Sequence, residues 1–237
     1  MGEAAAGAAI RPTSSELTFR SEIDVDRLPA VPPPRPRSGG FDESYNHTPP
    51  WDIGRPQPAL AALAASGQIR GRVLDVGCGT GEHTLMAAGL GLVAVGIDQQ
   101  PRAIEKARAK AAERDPGRKL TVNFEVGDAL DPVVLAAAGP FDTVLDCGLF
   151  HVFDDPDRPV FARALAAATA PGAHYFLLCF NEHVPGDWGP RRVTQAEIHA
   201  TFSADAGWRV DGIEAASFSV LLAPDGVPAW LAALTRL

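Results

Sequence analysis

Asp75-Val76-Gly77-Cys78-Gly79-Thr80-Gly81 sets a carboxylate ahead of three glycines at alternate positions. Glycine accepts φ > 0 and lets backbone approach a ligand closely, so such a run makes both a sharp turn and a cradle. A dinucleotide fingerprint would place its third glycine at position 82, where Glu82 stands. The carboxylate just ahead of the loop also repels a pyrophosphate, whereas it attracts a ligand carrying an ammonium group and a sulfonium. Asp98 lies 21 positions beyond Gly77, beside the next strand end, where a carboxylate can accept both hydroxyls of a ribose. Alone, an acid there is often a helix N-cap. Gly127-Asp128-Ala129-Leu130 offers a further carboxylate and backbone groups for an adenine rim, or else a turn closed by an Asx bond.

These residues need elements to hold them at one edge. Short apolar runs at 72–76, 92–97, 120–126, 141–147 and 173–180 alternate with helical stretches at 82–90, 101–114 and 158–170. Pro101 suits the start of the second of these helices, and Pro116-Gly117 and Pro171-Gly172 punctuate the ends of the second and third. Strand–helix alternation of this kind predicts βαβ units and an α/β fold, with a mainly parallel sheet covered on both faces. Residues 194–202 read as a further helix, and 208–213 with 217–222 as a last antiparallel pair. In such sheets ligands sit beyond the carboxyl ends of the strands, near the point where strand order reverses. The residues just after each strand are therefore the chemical ones.

The fourth strand ends in Asp146-Cys147-Gly148-Leu149-Phe150-His151, which should line the junction between cofactor and acceptor. It lacks the Asp/Asn-Pro-Pro-aromatic motif of enzymes that methylate exocyclic base amines, which disfavours a flipped DNA base. Candidates for a general base are His151, Tyr45 and Asp146, with His151 preferred because it follows a strand at the functional edge. A histidine that only packs or hydrogen-bonds there explains the sequence as well.

The net charge of −8 argues against nucleic acid, which clustered Lys and Arg would bind. Three cysteines, none in a CxxC pair, read as reduced thiols of a cytoplasmic protein, with no metal site and no disulfide frame. No apolar run approaches the roughly 20 residues of a membrane helix, and no secretion signal is visible. Residues 1–40 form a Pro-rich tail that reads as disordered, leaving 41–237 as the domain, with 41–69 as its N-terminal lid. The oligomeric state is not legible.

From Gly71 to about Phe180 the chain resembles the class I S-adenosylmethionine-dependent methyltransferases, through the glycine loop, Asp98, Gly127-Asp128 and the fourth-strand segment. That resemblance implies a Rossmann-like seven-stranded, mostly parallel sheet with helices on both faces and the last strand antiparallel. It implies S-adenosylmethionine as cofactor, with Asp75 to Gly81 (Gly77, Cys78, Gly79 and Thr80 included) around the methionine moiety. Asp98 would then hold the ribose and Asp128 lie near the adenine, with Gln99 and Ala129 as further cofactor-binding residues. Thr48-Pro49-Pro50-Trp51-Asp52-Ile53-Gly54 is similar to the Trp-Asp-x-Gly segment of thiopurine and halide/thiol methyltransferases, which implies that Trp51 packs over the cofactor. Gly189-Pro190-Arg191-Arg192-Val193-Thr194 resembles the acceptor-side loop of that group, with Arg191 available for an acceptor carboxylate. The Gly-Thr-Gly loop and Arg191-Arg192 depart from its pattern. The expected activity is methyl transfer to a small-molecule thiol, hydroxyl or amine. An NAD-dependent oxidoreductase and a non-catalytic cofactor-binding regulatory protein stay open as alternatives.

Overall fold

The computed structural model describes residues 41–186 and 188–237, so the Pro-rich tail lies outside the described residues. After two short helices, α1 (Phe41–Ser44) and α2 (Pro58–Ala65), strands and helices alternate. They run β1 (Arg72–Val76), α3 (Glu82–Gly89), β2 (Val93–Asp98), α4 (Pro101–Arg114), β3 (Val122–Val126), α5 (Pro132–Ala138) and β4 (Phe141–Cys147). A 3-10 turn (Phe150–Val152) leads to α6 (Asp157–Ala168), β5 (Thr169–Phe180), α7 (Gln195–Thr201), β6 (Trp208–Val220) and β7 (Ala223–Arg236).

The seven strands form one sheet in the order β3-β2-β1-β4-β5-β7-β6. All pairs are parallel from β3 to β5, and β7 runs antiparallel to both β5 and β6. This is the expected seven-stranded, Rossmann-like sheet. Strand order reverses between β1 and β4, which opens the crevice at their carboxyl ends. The middle strands read as unbroken apolar runs because both faces are covered: Val73, Leu74 and Val76 of β1 are all buried. One face packs Val144, Phe150, Phe161, Tyr175 and Trp208; the other packs Leu60, Val73, Leu145, Phe176 and Phe218.

Two expected boundaries are corrected. Pro171-Gly172 does not separate helix from strand, because α6 ends at Ala168 and β5 starts at Thr169. The proline and glycine sit instead where pairing jumps from Phe141–Thr169 to Thr143–His174, an irregularity that tolerates a missing N–H and a φ of +80° at Gly172. Residues 217–222 are not a separate closing strand. Residues 208–220 form a single strand, and its partner is 223–236, whose Ala- and Leu-rich stretch carries no clear alternation. Pairing on both edges, with Ala229, Ala232 and Leu234 buried, overrides that weak local signal.

Trp208 is fully buried, and its indole Nε1 donates to the Ala162 carbonyl at 3.0 Å, pinning β6 to α6. Trp208→Ala is expected to destabilise the fold by about 3–5 kcal/mol. Urea unfolding should show a lower midpoint with an unchanged slope, and an unaltered midpoint would mean that this contact is dispensable.

Candidate functional site

The loop after β1 is built by what its glycines lack. Gly77, Gly79 and Gly81 all have positive φ. A Cβ on Gly77 would lie 2.8 Å from Leu149, and one on Gly81 would lie 2.6 Å from the Phe124 ring. The Gly77 and Cys78 N–H groups both donate to the Ile97 carbonyl, at 2.8 and 3.1 Å, which ties the loop to the end of β2. Asp75 is buried, and its Oδ2 accepts from the Thr84 backbone N–H at 2.9 Å and hydroxyl at 2.6 Å. It therefore anchors the start of α3 beneath the loop. Burial, opposed by His83 and the Thr84 bonds, raises its pKa. Glu82 is turned away to Lys110 and Arg114, each at 2.7 Å.

Asp98 stands half-buried at the end of β2, where its two oxygens accept from Gly79 N–H and Gln100 N–H, both at 2.8 Å. Burial raises its pKa, and Asp75 adds to the rise. Gln99 reaches Asp128 at 3.5 Å, and Asp128 accepts from the Leu130 N–H at 2.9 Å, so the Asx bond and the strand-end carboxylate coexist. Ala129 is buried beside them. Asp75, Gly77 to Gly81, Asp98, Gln99, Asp128 and Ala129 thus gather along the carboxyl ends of β1, β2 and β3.

The segment before α2 covers this edge. Tyr45 is buried, and its hydroxyl lies 3.2 Å from the position of a Cβ on Gly79 while accepting from Trp51 Nε1 at 3.3 Å. Burial and the neighbouring Asp98 raise the Tyr45 pKa, which makes it a poor proton acceptor at neutral pH. Asp52 accepts from the Thr80 hydroxyl at 2.8 Å, and Gln57 bonds both ways to the Ser219 backbone, at 2.8 Å each. Arg102 on α4 holds Asp42 at 2.5 Å.

Beyond Tyr45, the two other expected bases are also engaged. Asp146 is fully buried; its Oδ1 accepts from Leu149 and Phe150 N–H at 2.8 and 3.3 Å, and its Oδ2 accepts from the Tyr175 hydroxyl at 3.0 Å. It shapes the turn that carries His151. His151 is buried among aromatic rings, with its Nδ1 accepting from the Phe180 N–H at 3.1 Å. Burial, with the nearby Arg158 and Arg192 charges, drives its pKa down to about 3. Arg191 is not an open anion site, since its guanidinium pairs with Asp155 at 2.5 Å and with Glu197.

Sequence reasoning missed Phe180, Trp188 and Phe218. Phe180 packs edge-on against His151, Phe218 and Trp188, with centroids 5.0, 5.2 and 5.8 Å away. Trp188, Leu222 and Ala223 line a cavity of about 310 Å³ at the outer end of this row. Arg192 fixes the loop that bears Trp188 through the carbonyls of Val184, Pro185, Gly186, Trp188 and Pro190. Nothing in the local sequence flags these rings: Phe180 ends β5, Trp188 stands in the loop that follows, and Phe218 comes from β6.

Asp146 carries a pH signature. Burial lifts its pKa from 3.8 to about 7, so the folded chain holds this proton more tightly than the unfolded one. The associated stability is complete below pH 3.8 and is lost as pH rises through about 7. Asp146→Asn keeps an acceptor for the turn and removes the buried charge. It should match or exceed the unaltered protein in Tm at pH 8, by on the order of a few degrees, with the gain gone by pH 4. An equal loss of Tm at both pH values would show that the carboxylate, not its buried charge, matters.

Residues 73–172 match the Methyltransferase domain family model. The 2-heptyl-1-hydroxyquinolin-4(1H)-one methyltransferase of Mycobacteroides abscessus is 37% identical over 180 residues, covering 75% of this chain and 76% of its own length. A probable thiol methyltransferase 2 of Arabidopsis thaliana is 30% identical, over 60% of this chain and 62% of that protein. Among solved structures, one reported for the conversion of a disulfide bond into a thioacetal group during echinomycin biosynthesis aligns with a TM-score of 0.73 and 35% identity. It covers 83% of this chain and 91% of the other. The magnesium protoporphyrin IX methyltransferase of Synechocystis, solved with bound S-adenosylmethionine, shares the fold at a TM-score of 0.58 and 19% identity, with 76% of each chain covered. The oxidoreductase and non-catalytic alternatives fall away before this set. The chain belongs to the class I S-adenosylmethionine-dependent methyltransferases, and it is an enzyme that uses this cofactor to methylate a small molecule.

Proposed function

We propose that the chain methylates a planar, largely apolar aromatic acceptor that enters between Trp188 and His151. The observation that carries this reading is the continuous row of ring contacts from the outer cavity through Trp188 and Phe180 to His151 and Phe218. An aromatic row that reaches this cavity at Trp188 favours a flat partner, because offset and edge-on stacking each add about 0.5–1.5 kcal/mol beyond burial. The relatives named for a hydroxyquinolone and for thiols support a soft or acidic nucleophile on such a scaffold.

The residues of the cofactor edge fit S-adenosylmethionine. Glycine at 77, 79 and 81 lets the loop pack against Leu149, the Tyr45 hydroxyl and Phe124, where a Cβ would crowd them. Beside Lys110, which donates to Thr80, the carboxylates of Asp75, Asp98 and Asp52 stand at the loop, suited to an ammonium and a sulfonium. In this reading Gly77 to Gly81, with Cys78 and Thr80, surround the methionine moiety above Asp75. Asp98 takes the ribose hydroxyls with Gln99 beside it, and Asp128 and Ala129 border the adenine. When bound, the cofactor supplies a methyl group already activated by its positive sulfur. The chain's own task is alignment and exclusion of water. Residues 41–69 act as a lid, with Trp51 and Tyr45 seated on the loop. Arg191, spent on Asp155 and Glu197, has no part in acceptor binding here.

Asp98→Ala should weaken S-adenosylmethionine binding by about 1–3 kcal/mol, read by calorimetry; equal affinity would remove Asp98 from the site. Trp188→Ala should raise KM for a bicyclic aromatic acceptor about tenfold or more, with kcat nearly unchanged. If a small aliphatic thiol is methylated with a higher kcat/KM than flat bicyclic acceptors of similar acidity, the aromatic reading is lost.

A further inference from the structure

Resting on that reading of the acceptor site, we infer that the chain removes no proton from its acceptor. It therefore takes nucleophiles already ionised near neutral pH, such as thiols, N-hydroxy heteroarenes and electron-poor phenols. His151 serves them as a fixed N–H donor.

The argument is an accounting of lone pairs. A general base needs one that is free and aimed at the acceptor. The Phe180 N–H occupies Nδ1 of His151, so the neutral ring carries its proton on Nε2. Nε2 lies 3.1 Å from where a Cβ on Gly148 would stand, so glycine at that position leaves the N–H its room beside the turn. The charged groups that act on this ring are Arg158 of α6 and Arg192 of the Trp188 loop, and both oppose protonation. Asp146 accepts three hydrogen bonds and is sealed beneath the turn, facing Tyr175 and the Asp75 charge rather than the slot. The Tyr45 hydroxyl already accepts from Trp51 and lies among Asp98, Cys78 and Asp52, all of which oppose its ionisation. Glu182 and His183 pack onto Trp230, whose side chain belongs to the core on the opposite face from Phe180 and Phe218. His83 accepts from the Gln57 N–H. None of these groups is left to take a proton in the slot.

The reaction then balances without one. The acceptor X–H loses its proton to bulk water before entry. The lone pair of X⁻ forms the bond to the methyl carbon as the carbon–sulfur bond breaks, and that pair returns to sulfur, leaving a neutral thioether. A donor such as Nε2–H steadies X⁻ in a slot that otherwise offers rings, and it orients the lone pair toward the methyl carbon. An unactivated phenol, with a pKa near about 10, is only about 0.3% ionised at pH 7.5, and an aliphatic alcohol far less.

The test follows kcat/KM against pH for the full chain, with saturating S-adenosylmethionine and a series of flat phenols and aryl thiols of graded acidity. Below each acceptor's own pKa the rate should rise tenfold per pH unit, and the inflection should move one-for-one with that pKa. His151→Gln, which keeps an N–H donor, should leave the inflection in place. His151→Phe should lower kcat about tenfold or more without moving it, with calorimetric cofactor binding as the check on folding. An inflection fixed at one pH for every acceptor would overturn the inference, as would aliphatic alcohols turned over as fast as acidic phenols of matching size. Methyl transfer to none of the series, despite bound cofactor, would defeat the aromatic-acceptor reading itself and take this inference with it.

Discussion

The contact on which the site depends is the one between the loop after β1 and the loop after β4. Gly77 has no side chain, so Leu149 rests against its Cα, and the two strand ends that flank the crevice meet through backbone on one side and an apolar side chain on the other. Ile97 completes the arrangement by accepting from two successive loop N–H groups. The glycine loop is thereby clamped between β2 and β4, and its remaining backbone faces the ligand edge. Any side chain at position 77 would push the two loops apart, and with them the cofactor edge and the acceptor edge.

That clamp holds charge where charge is expensive. The carboxyls of Asp75, Asp98 and Asp146 all have raised pKa values, chiefly through burial, and Asp75 adds to the rise at the other two. A fold selected for stability alone would not line three acids along one sheet edge with backbone N–H groups and hydroxyls as their main partners. On the proposed cofactor placement a cation would lie beside Asp75 and Asp98, while Asp146 stays sealed beneath its turn.

Much of this edge was legible because it is local. Asp75 to Gly81 and Asp98 lie within 24 consecutive residues, and their convergence at one sheet edge follows from residue type, spacing and one strand–helix–strand unit. The sheet was legible for the same reason, through apolar runs alternating with helices. What failed was non-local. Residues 223–236 carry no clear strand pattern and become β7 only because β5 and β6 offer pairing on both sides. Asp146 and His151 were read as chemistry because they follow a strand. Their hydrogen bonds to Tyr175, the turn and Phe180 are tertiary facts that position in sequence does not carry.

The same distinction explains why the cofactor could be named early and the acceptor could not. The proposed acceptor side takes Phe180 from β5, Phe218 from β6, Trp188 from a loop fastened by Arg192, and His151 from the turn after β4. Each of these segments also answers to the core, so an aromatic residue in any of them looks like packing. The lid is fastened to the acceptor side as well, through the two Gln57–Ser219 hydrogen bonds one residue beyond Phe218. The segment that covers the glycine loop and the strand that supplies Phe218 are thus tied by hydrogen bonds to the Ser219 backbone. On the proposed reading, that tie joins the acceptor side to the cofactor edge, which suits a reaction whose demands are alignment and dryness.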